Sequence, residues 1–154
     1  KQSMNLLNVY GLFFMIVIMI PNIVFAVRCK EGVENLWENR TLEVLEQIGR
    51  FGCFALMIFI IPGIPFGFSS DEAFALYLIG DGILVFLYCL IWIFCFRNNS
   101  VFRALSLSIL PSVLFLFSGV MSRYVPLIVA ALMFAPCHII ISYKNAKLAQ
   151  SEDE

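Results

Sequence analysis

Residues 73–96 read AFALYLIGDGILVFLYCLIWIFCF, and Asp81 is the only charge among them. A helix on the surface of a soluble domain carries a polar face, and this stretch lacks one. At about 1.5 Å per residue it is long enough for the roughly 30 Å hydrocarbon core of a bilayer. In such a core every backbone N–H and C=O must find its partner within the segment, so Ala73–Phe96 is read as a transmembrane helix.

The same reading extends in both directions. Toward the C-terminus, Arg97, Asn98, Asn99 and Ser100 make a tight turn with Ser100 as N-cap. A span over Val101–Met121 follows, then a turn at Ser122, Arg123 and Tyr124. The last span covers Val125–Ser142, closed by Tyr143 and Lys144, with a polar tail over 148–154. Toward the N-terminus, Ser69, Ser70, Asp71 and Glu72 form a turn in which Ser70 or Asp71 caps the helix. A span over Ile48–Phe68 precedes it, and Pro62, Gly63, Pro65 and Gly67 are expected to kink or unwind its end. The first span covers Asn5–Val27 and is read as retained rather than as a signal peptide, because it lacks a basic leader and a small-residue cleavage site. Lys1 to Met4 are set aside. The expectation is one all-α polytopic bundle of five spans over residues 5–147. The alternative is four spans, with the Pro62 segment re-entrant.

Composition agrees. Of 154 residues, 61% are hydrophobic and 14% charged, with a mean hydropathy of +0.91. Soluble domains run at roughly 45–50% apolar and about 25% charged. A net charge of −1 leaves no basic footprint for nucleic acid. The charges gather between the apolar runs, chiefly over 30–50. There Val33, Leu36, Trp37, Leu42, Leu45 and Ile48 recur at helical spacing, predicting an amphipathic piece at the membrane interface. Within it Glu46 precedes Arg50 by four residues, the favourable order for an in-helix pair. Arg28, Lys30, Arg40, Arg50, Arg97, Arg103, Lys144 and Lys147 fall on one side of a five-span plan; Arg123 and Lys1 fall on the other. Positively charged loops stay in the cytoplasm, so the N-terminus is expected outside and the C-terminus inside.

Few side chains carry chemistry. Asp81 lies within a span, where a carboxylate costs about 2.5–3.5 kcal/mol even on the lenient scale, so it is expected to face the bundle interior. Tyr77, Tyr88 and Trp92 share its face. It reads either as a ligand-anchoring carboxylate or as a structural bond to a neighbouring helix. His138, after Pro136 and Cys137, reads as a core histidine, or as a partner for Asp81 if the third and fifth spans touch. Ser112 shares a face with Ser108 and reads first as packing, second as ligand lining. The candidate ligand-binding set is therefore Asp81, Tyr77, Tyr88, Trp92, His138 and Ser112. Prolines interrupt four spans, and Gly80-Asp81-Gly82 is expected to break the remaining one. Cys29, Cys53, Cys89, Cys95 and Cys137 show no Cys-x-x-Cys and match no standard metal site. No cofactor, metal or catalytic motif is implied. Asn39-Arg40-Thr41 matches a glycosylation sequon but falls on the expected cytoplasmic side.

The stretch Glu34–Cys53 (ENLWENRTLEVLEQIGRFGC) and the ending Ala135–Asn145 (APCHIIISYKN) resemble uncharacterised small multi-pass membrane proteins of Gram-positive bacteria. The resemblance covers most of the chain. It implies a bacterial plasma-membrane location and brings no activity or site residue. In plan, five spans in this length is also similar to the tryptophan-rich sensory proteins. Trp37 and Trp92 are the only tryptophans, however, and no residue is carried over. The expected function is an integral membrane protein that binds or passes a small, largely apolar ligand within its bundle. Two alternatives stand beside it: an accessory or immunity-type subunit docking a membrane-protein partner through Glu34–Arg50, and a membrane enzyme using Asp81 and His138 as acid and base.

Overall fold

The computed structural model describes residues 6–29 and 35–152. Five helices run in chain order: α1 (Val9–Arg28), α2 (Arg40–Ile58), α3 (Asp71–Cys95), α4 (Val101–Met121) and α5 (Val125–Glu152). Four of them, α1, α3, α4 and α5, are long and apolar enough to cross a membrane. In α2 the charges Arg40, Glu43, Glu46 and Arg50 lower the apolarity.

Each start has a local cause. The side chains of Asn8, Asn39, Ser70 and Ser100 accept the N–H of Gly11, Leu42, Ala73 and Arg103, satisfying donors with no intrahelical partner. Ser70, rather than Asp71, thus caps α3.

Three elements differ from the sequence expectation. Where a span was expected over Ile48–Phe68, the helix instead begins at Arg40 and ends at Ile58. Asn39 starts it early, and the proline-glycine run stops it. Proline lacks the N–H a helix needs, and Gly63 and Gly67 adopt φ of +85° and +156°. Phe59 turns extended and pairs with Leu7 in an antiparallel bridge. The stretch Arg40–Arg50 is consequently the first half of a helix packed on α5, with Glu46 buried. Residues 30–34 of that segment lie outside the described residues. The last helix continues to Glu152, beyond the expected close at Ser142. The Asn145 amide receives the Trp37 N–H at 2.8 Å and donates to Asn35 at 3.0 Å, and Ala146 is buried. Nor does Gly80-Asp81-Gly82 break α3, which is continuous through it.

The helices pack in a ring of cyclic order α1, α3, α4, α5, α2 and back to α1, with only a slight touch of α2 on α4 across it. Close crossings need glycine at two points. A Cβ on Gly11 would fall 1.9 Å from the Met57 carbonyl oxygen, and one on Gly49 would fall 2.8 Å from the Phe134 Cα. At one end of the ring the 59–67 segment meets the α4–α5 turn: the Tyr124 hydroxyl accepts the Ile61 N–H at 2.9 Å, and the Gly67 N–H reaches the Ser122 carbonyl. The other end carries Arg28, Arg40, Arg97, Arg103, Lys144 and Lys147.

Candidate functional site

A ring of five helices that do not meet at its centre leaves space along its axis. Toward the arginine-rich end this space is a cavity of about 660 Å³, and every helix contributes to its wall. The wall includes Asn22 and Phe25 from α1, Arg50 from α2, Tyr88 and Trp92 from α3, Arg103 and Leu107 from α4, and His138 and Asn145 from α5. Adjoining it is a deeper pocket of about 210 Å³, which shares Asn22, Arg50, Tyr88, Leu107 and His138 and adds Ile18, Met19, Phe54, Pro111, Phe115 and Phe134. Polar and cationic side chains thus line the outer part and the junction, and those that only the deeper part adds are apolar. The outer cavity falls in the range of ordinary small-ligand sites, roughly 300–1,000 Å³, and the deeper pocket extends it.

The polar junction is ordered by hydrogen bonds. The Tyr88 hydroxyl donates to Asn22 Oδ1 at 2.8 Å, and Asn22 Nδ2 donates to the Ile18 carbonyl at 2.9 Å, one turn back. Glu46, its side chain only 4% exposed, accepts from Arg50 Nε at 2.9 Å and also pairs with Arg50 Nη2. The same oxygen lies 2.9 Å from His138 Nδ1. The His138 ring stacks on Phe134, centroids 4.6 Å apart. One carboxylate on α2 therefore fixes two side chains at the cavity, one on its own helix and one on α5. Arg103 is held by the carbonyls of Cys95 and Phe96 and by Asn99 Oδ1. Its guanidinium lies 5.4 Å from the Phe25 ring centroid, within cation–π range. Phe25 in turn packs on Trp92 at 4.7 Å. Trp92 is 7% exposed, and its indole N–H is buried with no acceptor in hydrogen-bond geometry among the described residues.

Of the residues expected at a site, Tyr88, Trp92 and His138 come together here. The other three lie elsewhere. Asp81 is fully buried between α3 and α4, where Oδ2 accepts the Ser118 hydroxyl and Oδ1 has no partner. Tyr77 accepts from Asn8 Nδ2 at 3.2 Å and packs among Phe14, Phe68 and Phe74. The Ser112 hydroxyl bonds back to the Ser108 carbonyl at 2.7 Å within α4. The pairing of Asp81 with His138 is not formed. Helices α3 and α5 share no contact, because α4 stands between them, and each side chain has another partner. The acid–base couple on which the enzyme alternative depended is not assembled.

Asn22, Glu46, Arg50 and Arg103 were missing from the expected set. For Glu46 a signal existed: Glu46, Gly49, Cys53 and Met57 recur at three- and four-residue spacing and form the buried stripe of α2. An acid on a stripe with a glycine and a cysteine marks the packed face of that helix.

The fold is that of a helix-bundle membrane protein, four of its helices long and apolar enough to cross a bilayer, with a polar-mouthed cavity between its helices. Set against known proteins, the chain matches no family model, no curated protein and no solved structure.

Proposed function

We propose that the chain is a five-span plasma-membrane protein, N-terminus outside and C-terminus in the cytoplasm, that binds a small and largely apolar ligand in its axial cavity. One observation carries this reading: all five helices converge on a space whose deep wall is aromatic and aliphatic and whose mouth holds a few fixed polar groups. Ligand sites are built in this way, with apolar surface for affinity and sparse polar groups for orientation. The bilayer contact follows from the wide apolar surface the helices turn outward, Phe13, Ile79, Phe86, Ile93 and Phe94 among it. The bacterial plasma-membrane location belongs to the same proposal. The arginine-rich end supports the orientation, since short basic loops are retained in the cytoplasm.

The test is thermal unfolding of the purified protein in mild detergent with sterols, quinones, tetrapyrroles and single-chain lipids added in turn. At least one class is expected to raise the midpoint. Ala104→Phe, which fills the cavity from its α4 wall, is expected to abolish that rise, whereas Asp81→Asn is expected to leave it unchanged. No rise with any class, or a rise that survives Ala104→Phe, overturns the proposal.

A further inference from the structure

The chemistry of the mouth narrows the ligand class. Arg50, Arg103 and His138 line the cavity, and the one carboxylate among its lining residues is Glu152, near the end of α5. Glu46 pairs with Arg50 and also accepts from His138, so its carboxylate is already engaged on both sides. Arg103 has no carboxylate partner among the described residues; its neighbours are neutral oxygens. Arg50 bonds through Nε and Nη2, which leaves Nη1 without a protein partner, and its side chain is 36% exposed. The Trp92 side chain lies buried on the same wall. A guanidinium N–H facing a cavity is a ready donor for an acidic group, and hydrogen bonds between charged partners are the stronger kind. The mouth therefore offers the spare N–H donors of Arg50 and an Arg103 guanidinium with no carboxylate of its own, while the side chains the deeper pocket adds past them, Phe54, Phe115 and Phe134 among them, are apolar.

We infer that the ligand is an anionic amphiphile, its acidic head held by Arg50 and Arg103 and its apolar tail directed into the pocket walled by Phe54, Phe115 and Phe134. A fatty carboxylate and a phosphate-headed lipid share this chemistry. The inference rests on the proposed ligand-binding reading and deepens it.

Trp92 supplies its own probe. With Trp37→Phe, it is the only tryptophan in the chain. The protein is placed in phosphatidylcholine nanodiscs and titrated with four dodecyl compounds brominated at the tail: the carboxylate, the phosphate, the primary alcohol and the trimethylammonium. Each is compared at equal mole fraction in the bilayer. The carboxylate, the phosphate or both are expected to quench Trp92 saturably at about one-tenth the mole fraction the alcohol needs, a difference of roughly 1.4 kcal/mol. Whichever anion is tighter identifies the source as free fatty acid or phosphate-headed lipid. Arg50→Gln and Arg103→Gln are expected to erase most of the tenfold advantage, and Arg50→Lys to retain it. Because Arg103 also ties down the α3 C-terminus, a second pair keeps the test independent of folding. Ala149→Lys and Ala149→Glu at the mouth are expected to strengthen and weaken anion quenching respectively, with the alcohol unmoved. Equal quenching by the alcohol, or tighter quenching by the trimethylammonium, overturns the anionic assignment and leaves the ligand-binding proposal standing. Saturable quenching by none of the four overturns both.

Discussion

Asp81 and Glu46 are both carboxylates in the packed interior, yet they do different work. Asp81 joins two neighbouring helices through the Ser118 hydroxyl, away from the cavity. Asparagine can still accept that hydroxyl, whereas leucine leaves it unmet. Asp81→Asn is expected to cost under about 1 kcal/mol and Asp81→Leu about 1–3 kcal/mol, the range for a buried polar group left unpaired. Unfolding in mixed dodecyl sulfate micelles would read this, and equal costs would contradict the bonding role. Glu46 joins α2 to α5 through His138 and also positions Arg50. Removing one member of a buried ionic cluster costs about 3–5 kcal/mol when the remaining charges are sealed from water. Arg50 is partly exposed, so Glu46→Ala is expected near or below the low end of that range. The same micelle titration checks it, with Arg50→Ala as comparison; a Glu46→Ala protein as stable as the parent would show that the cluster contributes nothing. Asp81 was conspicuous in the sequence because it stands alone in an apolar run. Glu46 was not, because four other acids surround it between residues 31 and 46, and only the choice of packed face separates it from them.

Among the helices, glycine decides how closely α2 approaches its neighbours. At Gly49 an added Cβ would meet the Phe134 backbone at 2.8–2.9 Å, and backbone cannot swing aside as a side chain end can. At Gly82 an added Cβ would meet nothing within 4 Å. Gly49→Ala is therefore expected to destabilise by about 1–3 kcal/mol, the usual cost of overpacking. Gly82→Ala is expected to stabilise by up to about 1 kcal/mol through helix propensity. Unfolding midpoints of the two variants should move in opposite directions. Sequence reasoning located α1, α3 and α4 to within a few residues, since long uniform hydrophobicity has one solution in a bilayer. It misplaced α2 because two local signals compete there. The apolar run continues to Phe68, but the capping Asn39 starts the helix early, and the prolines with Gly63 and Gly67 stop it before the run is finished. The end of α5 was misplaced for the converse reason: a polar tail looks frayed until Asn145 is seen to bond the 35–37 segment.

For the molecule as a whole, the sidedness of charge makes a direct prediction. Cys29 and Cys95, both partly exposed, sit at the arginine-rich end. An impermeant maleimide is expected to label them in inside-out vesicles and not in intact cells; labelling in intact cells would reverse the proposed orientation and turn the cavity mouth outward. What the sequence by itself determined was the material of the protein: all-helical, largely apolar, with long runs fit for a bilayer and basic residues biased to one side. Those follow from local composition, because a bilayer acts on each segment separately through its length and hydropathy. The ring order of the helices, and with it the cavity, was decided only by tertiary structure. Which side chains meet depends on the facing of helices far apart in the chain. Interposing α4 parted Asp81 from His138, and seating α2 on α5 gave His138 to Glu46 instead.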